Sequence, residues 1–109
     1  MATTARFTVL WGTPTDPEAF RRHYQDVHIP LARKMAGLRR YTLSRNVTLV
    51  RGEDPWYLVA ELDWDDLASM QEAFASPAGR ATGEDVAILA QYATVASMTY
   101  ELEDYIPQP

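Results

Sequence analysis

Residues 6–12, Arg-Phe-Thr-Val-Leu-Trp-Gly, are rich in β-branched and aromatic side chains and end in the turn segment Gly12-Thr13-Pro14, a pattern that predicts a first strand. The period then changes. Phe20, Tyr24, Val27 and Leu31 fall at helical spacing, and His28 follows Tyr24 by four residues on the same inward face. Thr15 and Glu18 stand in capping-box spacing, and Asp16 followed by Pro17 is an equally good start. Pro30 has no N–H, so the carbonyl of Asp26 loses its helical donor. The helix is therefore expected to run to about Val27, kink or restart around His28 and Ile29, and resume from Pro30 to about Ala36, with Gly37 as a left-handed cap.

Residues 38–50 read as a long second strand, and the cluster at 51–55 as a turn into a third strand at 56–64. That third strand alternates cleanly. Trp56, Leu58, Ala60, Leu62 and Trp64 form an apolar face that must meet helices, while Tyr57, Val59, Glu61 and Asp63 form a mixed face. Asp65 and Asp66 open a second helix whose Leu67, Met70 and Phe74 keep core spacing, and Ser76-Pro77 ends it. Two glycines at 79 and 83 predict only one or two short helical turns over 77–90. A last strand covers about 94–102, with Ala96, Met98, Tyr100 and Leu102 on one face, and the tail from Asp104 to Pro109 is expected to lie over a surface.

The order is βαββαβ, which predicts an α+β, ferredoxin-like domain over residues 1–109: four antiparallel strands with both helices on one face. The other face is half apolar. It offers Val59, Val95 and either Leu10 or the set Phe7, Val9 and Trp11, so it is expected to meet a second sheet from an identical subunit and enclose a ligand-sized space.

Composition narrows the chemistry. The chain has 109 residues, 47% of them hydrophobic, and no cysteine, which removes disulfides, thiolate metal sites and cysteine nucleophiles and makes a reducing cytoplasm the simplest expectation. No apolar run has the length of a signal core or a membrane span, so no membrane association is expected. Residues 1–51 hold nine Lys/Arg against three Asp/Glu, whereas residues 52–109 hold one Arg against twelve acids. The halves are complementary and are expected to pack over each other, within a subunit or across a dimer. The net charge of −5 and the lack of a dense basic patch argue against nucleic acid.

His28 is the candidate of greatest interest, because an imidazole at a proline-induced kink can have one nitrogen fixed and the other free. A core histidine with both nitrogens satisfied is the other reading of the same residue. His23 lies five residues before it and reads as surface, since that spacing offsets the two rings on an α-helix. Tyr24, Tyr57, Glu61 and Asp63 are candidate helpers, the two acids having ion pairs with Arg39 or Arg40 as their alternative. Trp11, Tyr41 and Met98 are candidate flat contacts for a ring.

Phe20-Arg21-Arg22-His23-Tyr24, His28-Ile29-Pro30-Leu31-Ala32-Arg33, Gly37-Leu38-Arg39-Arg40-Tyr41 and Trp56-Tyr57-Leu58-Val59-Ala60-Glu61-Leu62 together resemble the EthD family, and Ser76-Pro77-Ala78-Gly79 with Glu84-Asp85-Val86 is similar to its later motif. The resemblance implies a dimeric α/β barrel of two ferredoxin-like subunits. Two positions depart from the family pattern: Ala36, where proline is frequent before Gly-Leu, and Ile88-Leu89-Ala90, which lack an aromatic residue. The second departure leaves substrate preference open.

The family's founding association is with degradation of a branched-chain ether alongside an oxidising system. Related barrels include cofactor-free monooxygenases, lactone isomerases, polyketide cyclases, dehydratases and decarboxylases, and fold does not choose among them. Two expectations follow. One is a cofactor-independent enzyme on a small cyclic or aromatic metabolite, with His28 as general acid or base and no metal. The other is a non-catalytic homodimer that binds a hydrophobic metabolite or supports another enzyme.

Overall fold

The structure is a computed structural model that describes residues 3–53 and 55–106; the expectations for Asp54 and for the tail at 107–109 lie outside it. Four strands, β1 (Ala5–Gly12), β2 (Arg40–Leu43), β3 (Trp56–Trp64) and β4 (Val95–Glu101), form one antiparallel sheet in the order β2-β3-β1-β4. Helices α1 (Pro17–His23), α2 (Ile29–Ala32), α3 (Leu67–Ala75) and α4 (Pro77–Leu89) complete a ferredoxin-like α+β fold. Trp11, Trp64, Phe20, Met70 and Leu89 are the largest fully buried side chains and tie the inner sheet face to the helices.

The helix starts follow their caps. Asp16 accepts a hydrogen bond from the Ala19 N–H at 3.1 Å with Pro17 in the first turn, so the Asp-Pro start is the one used. Asp66 caps α3 through the Ser69 N–H at 2.7 Å, and that bond holds its carboxyl below the usual range. The kink at Pro30 is resolved without a break. Residues Tyr24–His28 form a π turn in which the Ile29 N–H reaches back to the Tyr24 carbonyl, and α2 continues from there. One added residue per turn accommodates a proline that offers no donor and crowds the preceding carbonyls.

Three expectations need correction. The second strand is confined to Arg40–Leu43, because Asn46 takes a left-handed backbone (φ 55°) and the chain leaves the sheet. Helix α4 is one continuous helix of 13 residues. Ser76 starts it by accepting from the Gly79 N–H at 3.1 Å, and Gly79 itself is required by packing. A Cβ there would lie 2.1 Å from the Ala73 carbonyl oxygen, so the missing side chain lets α3 and α4 meet. Finally, pairing of Leu10 with Val59 and Ala96, and of Thr8 with Met98, puts these residues on the outer face, whereas Val95 pairs with Trp11 on the inner one.

The opposite charges of the two halves do meet within one chain. Ion pairs of Arg6 with Asp63 and Glu61 and of Arg39 with Asp65 join them, and so do the hydrogen bonds of His23 and His28 to Asp85.

Candidate active site

Within a single chain the ligand-sized space lies on the helix side of the sheet. A cavity of about 350 Å³ lies between the inner sheet face and the π turn, α2 and α4. Trp11, Ala60 and Leu62 line its sheet side, and Ala32, Met35 and Val86 close it from the helices. Its walls are mostly apolar, as small-molecule pockets are. His28, Tyr24 and Tyr41 carry polar groups into it.

The π turn decides how the histidines stand. On an α-helix, residues five apart diverge; widening the turn by one residue brings His23 and His28 to the same side. Both then reach one carboxylate. His28 Nδ1 lies 2.8 Å from Asp85 Oδ2, and His23 Nε2 lies 2.7 Å from Asp85 Oδ1. An ionised carboxylate only accepts, so each ring donates an N–H to it. That fixes His28 as the Nδ1–H tautomer when neutral, with the lone pair on Nε2. Nε2 has no hydrogen-bond partner among the described residues, and none of their buried side-chain nitrogens lacks one, so it opens on the cavity that His28 lines.

Burial pushes the His28 pKa below its ordinary value of 6.5; Asp85 opposes that effect, and His23 adds to it. His28 is therefore a neutral base at pH 7. A proton taken up at Nε2 creates an imidazolium whose other N–H already points at Asp85. The second polar group is a hydroxyl pair: Tyr24 Oη and Tyr41 Oη lie 2.9 Å apart. Two hydroxyls sharing one hydrogen bond keep one O–H proton available for a further acceptor. Burial raises both phenol pKa values, so they stay protonated. The Tyr24 ring also packs beside His28, with centroids 5.0 Å apart.

Trp11, Tyr24, His28 and Tyr41 are thus brought together as expected, and the other candidates are not. Tyr57 falls at the irregularity where β1 and β3 shift register between Trp11 and Gly12, and its ring packs edge-on against Phe20 of α1 instead of lining this cavity. Glu61 and Asp63 face outward, where Arg6 binds them; the partner is Arg6, while Arg39 is taken by Asp65. Met98 is on the outer face beside Thr8 and half exposed.

Asp85 is the residue that reading for candidate chemistry missed, and His23 was misplaced on the surface. A signal for Asp85 was present. Ala78, Thr82, Asp85 and Leu89 recur at helical spacing along the inward side of α4, and an acid in such a stripe requires a buried partner.

The chain is similar to proteins of known sequence and structure along most of its length. It is 33% identical over 82 residues to an uncharacterised 11.0 kDa protein of the thcB-thcC intergenic region of Rhodococcus erythropolis, covering 75% of this chain and 80% of that one. An ethyl tert-butyl ether d (EthD) family protein from Bacillus halodurans matches with a TM-score of 0.80 and 33% identity, over 92% of this chain and 99% of the other. SnoaB, a cofactor-independent oxygenase from Streptomyces nogalater, shares the fold with a TM-score of 0.70 at 19% identity, over 98% of this chain and 100% of its own. The EthD domain model matches residues 12–93, and the chain belongs to the EthD family.

Proposed function

We propose that this chain is a cofactor-independent acid–base enzyme acting on a small cyclic or aromatic, polyketide-like metabolite. The observation that carries this reading is a neutral imidazole whose Nδ1 is held by a buried carboxylate while Nε2 opens on an apolar cavity. In the first step a C–H proton next to a substrate carbonyl passes to His28 Nε2. The electron pair moves onto the carbonyl oxygen, which accepts the spare O–H of the Tyr24–Tyr41 pair. A base that is unprotonated at pH 7 and a preorganised donor to the developing oxyanion are the two groups such a step requires. Isomerisation, dehydration and oxygenation by dioxygen can each begin this way, and in a decarboxylation, where loss of CO₂ supplies the electron pair, the same hydroxyl pair would hold the developing oxyanion. The cofactor-independent oxygenase that shares the fold is consistent with the reading.

The chain acts as a homodimer in this account. Leu10, Val59, Ala96 and Met98 make an apolar strip on the outer sheet face, and Val47, Leu49 and Val50 in the segment after β2 are exposed as well.

A thermal-shift screen with cyclic lactones, hydroxyquinones and polyketide-like aromatics finds the ligand class, and NMR then follows deuterium uptake from D₂O at the carbon next to its carbonyl. Uptake with the wild type and none with folded His28→Gln is expected. A ligand that raises the melting temperature but never exchanges a proton would overturn the enzymatic reading and leave a metabolite-binding dimer.

A further inference from the structure

A second depression lies on the other side of Tyr24, whose ring also lines the inner cavity. It has a volume of about 520 Å³ and sits between α1 and the start of β3, with the segment after β2 along its rim. Its character is opposite to that of the inner cavity. Arg21, Gln25, Arg45 and Asn46 supply polar walls, none of the lining residues is acidic, and Leu43 and Leu58 supply an apolar patch.

The arrangement of Arg21 is specific. Its Nε donates to the Tyr57 hydroxyl, and its guanidinium stands 5.5 Å from the centre of the Tyr57 ring. The side chain is therefore held by a neutral partner through Nε alone, which leaves its two terminal amino groups as an open fork. Neither Arg21 nor Arg45 forms an ion pair among the described residues, whereas Arg6 and Arg39 each have a carboxylate. An oriented guanidinium with a free fork matches a carboxylate, and a second arginine beside an apolar wall favours one attached to a ring.

We propose that this groove is a binding site for a small aromatic carboxylate. The carboxylate pairs with the terminal nitrogens of Arg21 and with Arg45, and the ring lies against Leu43 and Leu58. Tyr57 positions Arg21. The site rests on its own geometry and does not depend on the chemistry assigned to His28.

The probe is 2-naphthoate, with 2-naphthamide as its uncharged counterpart, titrated calorimetrically into the whole protein and followed by amide NMR shifts. Both arginines are exposed, so Arg21→Gln and Arg45→Gln are expected to fold as the wild type does. The expected result is naphthoate binding that weakens with salt, about tenfold loss of affinity in Arg21→Gln, a smaller loss in Tyr57→Phe, and shifts centred on Asn46 and Tyr57. Equal binding of the amide and the acid, naphthoate affinity unchanged in Arg21→Gln, shifts confined to residues of the inner cavity, or no naphthoate binding would each overturn the proposal. Because His28→Gln leaves the groove intact, failure here and failure of the acid–base reading give different results.

Discussion

Two buried aspartates, Asp63 on the outer face of the sheet and Asp85 on helix α4 across the sheet from it, place the same functional group in different surroundings. Asp63 accepts from the Nε and one terminal amino group of Arg6 at 2.8 and 3.0 Å, and Glu61 takes that guanidinium's remaining amino group. Asp85, on the helix side, gives its two oxygens to two imidazoles at similar distances. The difference lies in the partners. Hydrogen bonding to Asp63 raises an arginine pKa that is already beyond physiological reach, so that cluster never exchanges a proton. Burial lowers the His28 pKa from its ordinary value, and an imidazole, unlike a guanidinium, can take up and release a proton. A buried carboxylate is therefore a structural tie or, under the proposed reaction, a support for proton transfer, according to the group opposite it.

Substitutions separate the two roles. Under the proposed reaction, His28→Gln is expected to lose about two to four orders of magnitude in turnover, the range for a positioned general base, measured on the ligand found by the exchange screen. Asp63→Ala leaves Arg6 without its main partner and is expected to cost about 1–3 kcal/mol in chemical denaturation, with turnover unchanged at temperatures where the variant is folded. Equal loss of turnover in both variants would erase the distinction.

The platform that carries Asp85 supplies a smaller contrast. Gly79→Ala forces a methyl into the Ala73 and Phe74 carbonyls and is expected to destabilise by about 1–3 kcal/mol, whereas a Cβ at Gly83 meets nothing within 4 Å. Gly83→Ala in the same helix is expected to stabilise by about 0.5–1 kcal/mol. Denaturation midpoints of the two variants moving in the same direction would contradict the packing described for α3 and α4.

Legibility in the sequence tracked how local the determining forces were. The alternation from Trp56 to Trp64 marks β3 residue for residue, and Asp16-Pro17 marks the start of α1, because both rest on short-range patterns. The second strand was overextended because Val47, Leu49 and Val50 have strand propensity, and only Asn46 in a left-handed conformation sends them off the sheet. Helix α4 was underestimated because glycine propensity was weighed without the close helix contact that Gly79 serves. At the site, Tyr24 and His28 followed from helical period, whereas the face of Trp11 was left open and Tyr41 was named only as an aromatic contact. Asp85 did not follow, since its partners lie about sixty positions away and meet it only after Pro30 has turned one helical turn into a π turn. Glu61 and Asp63 attracted attention as the visible acids of a strand, but the register with β1 gives them to Arg6.

The state of His28 is the centre of the account, and long-range proton–nitrogen NMR of the imidazole rings across a pH titration reads it directly. The account predicts a His28 that is neutral at pH 7, protonated on Nδ1 with Nε2 bare, and titrating below 6.5. The sign for stability follows: below about pH 6.5 the unfolded chain takes up a proton that native His28 resists, so stability falls with falling pH until the native pKa is passed, by at most about 1.4 kcal/mol per unit for this one group. Asp85→Asn turns one of the two accepting oxygens into an N–H donor and is expected to loosen or reverse the tautomer. A His28 that is charged at pH 7, or that carries its proton on Nε2 in the wild type, would contradict the assignment of the cavity-facing nitrogen as the base.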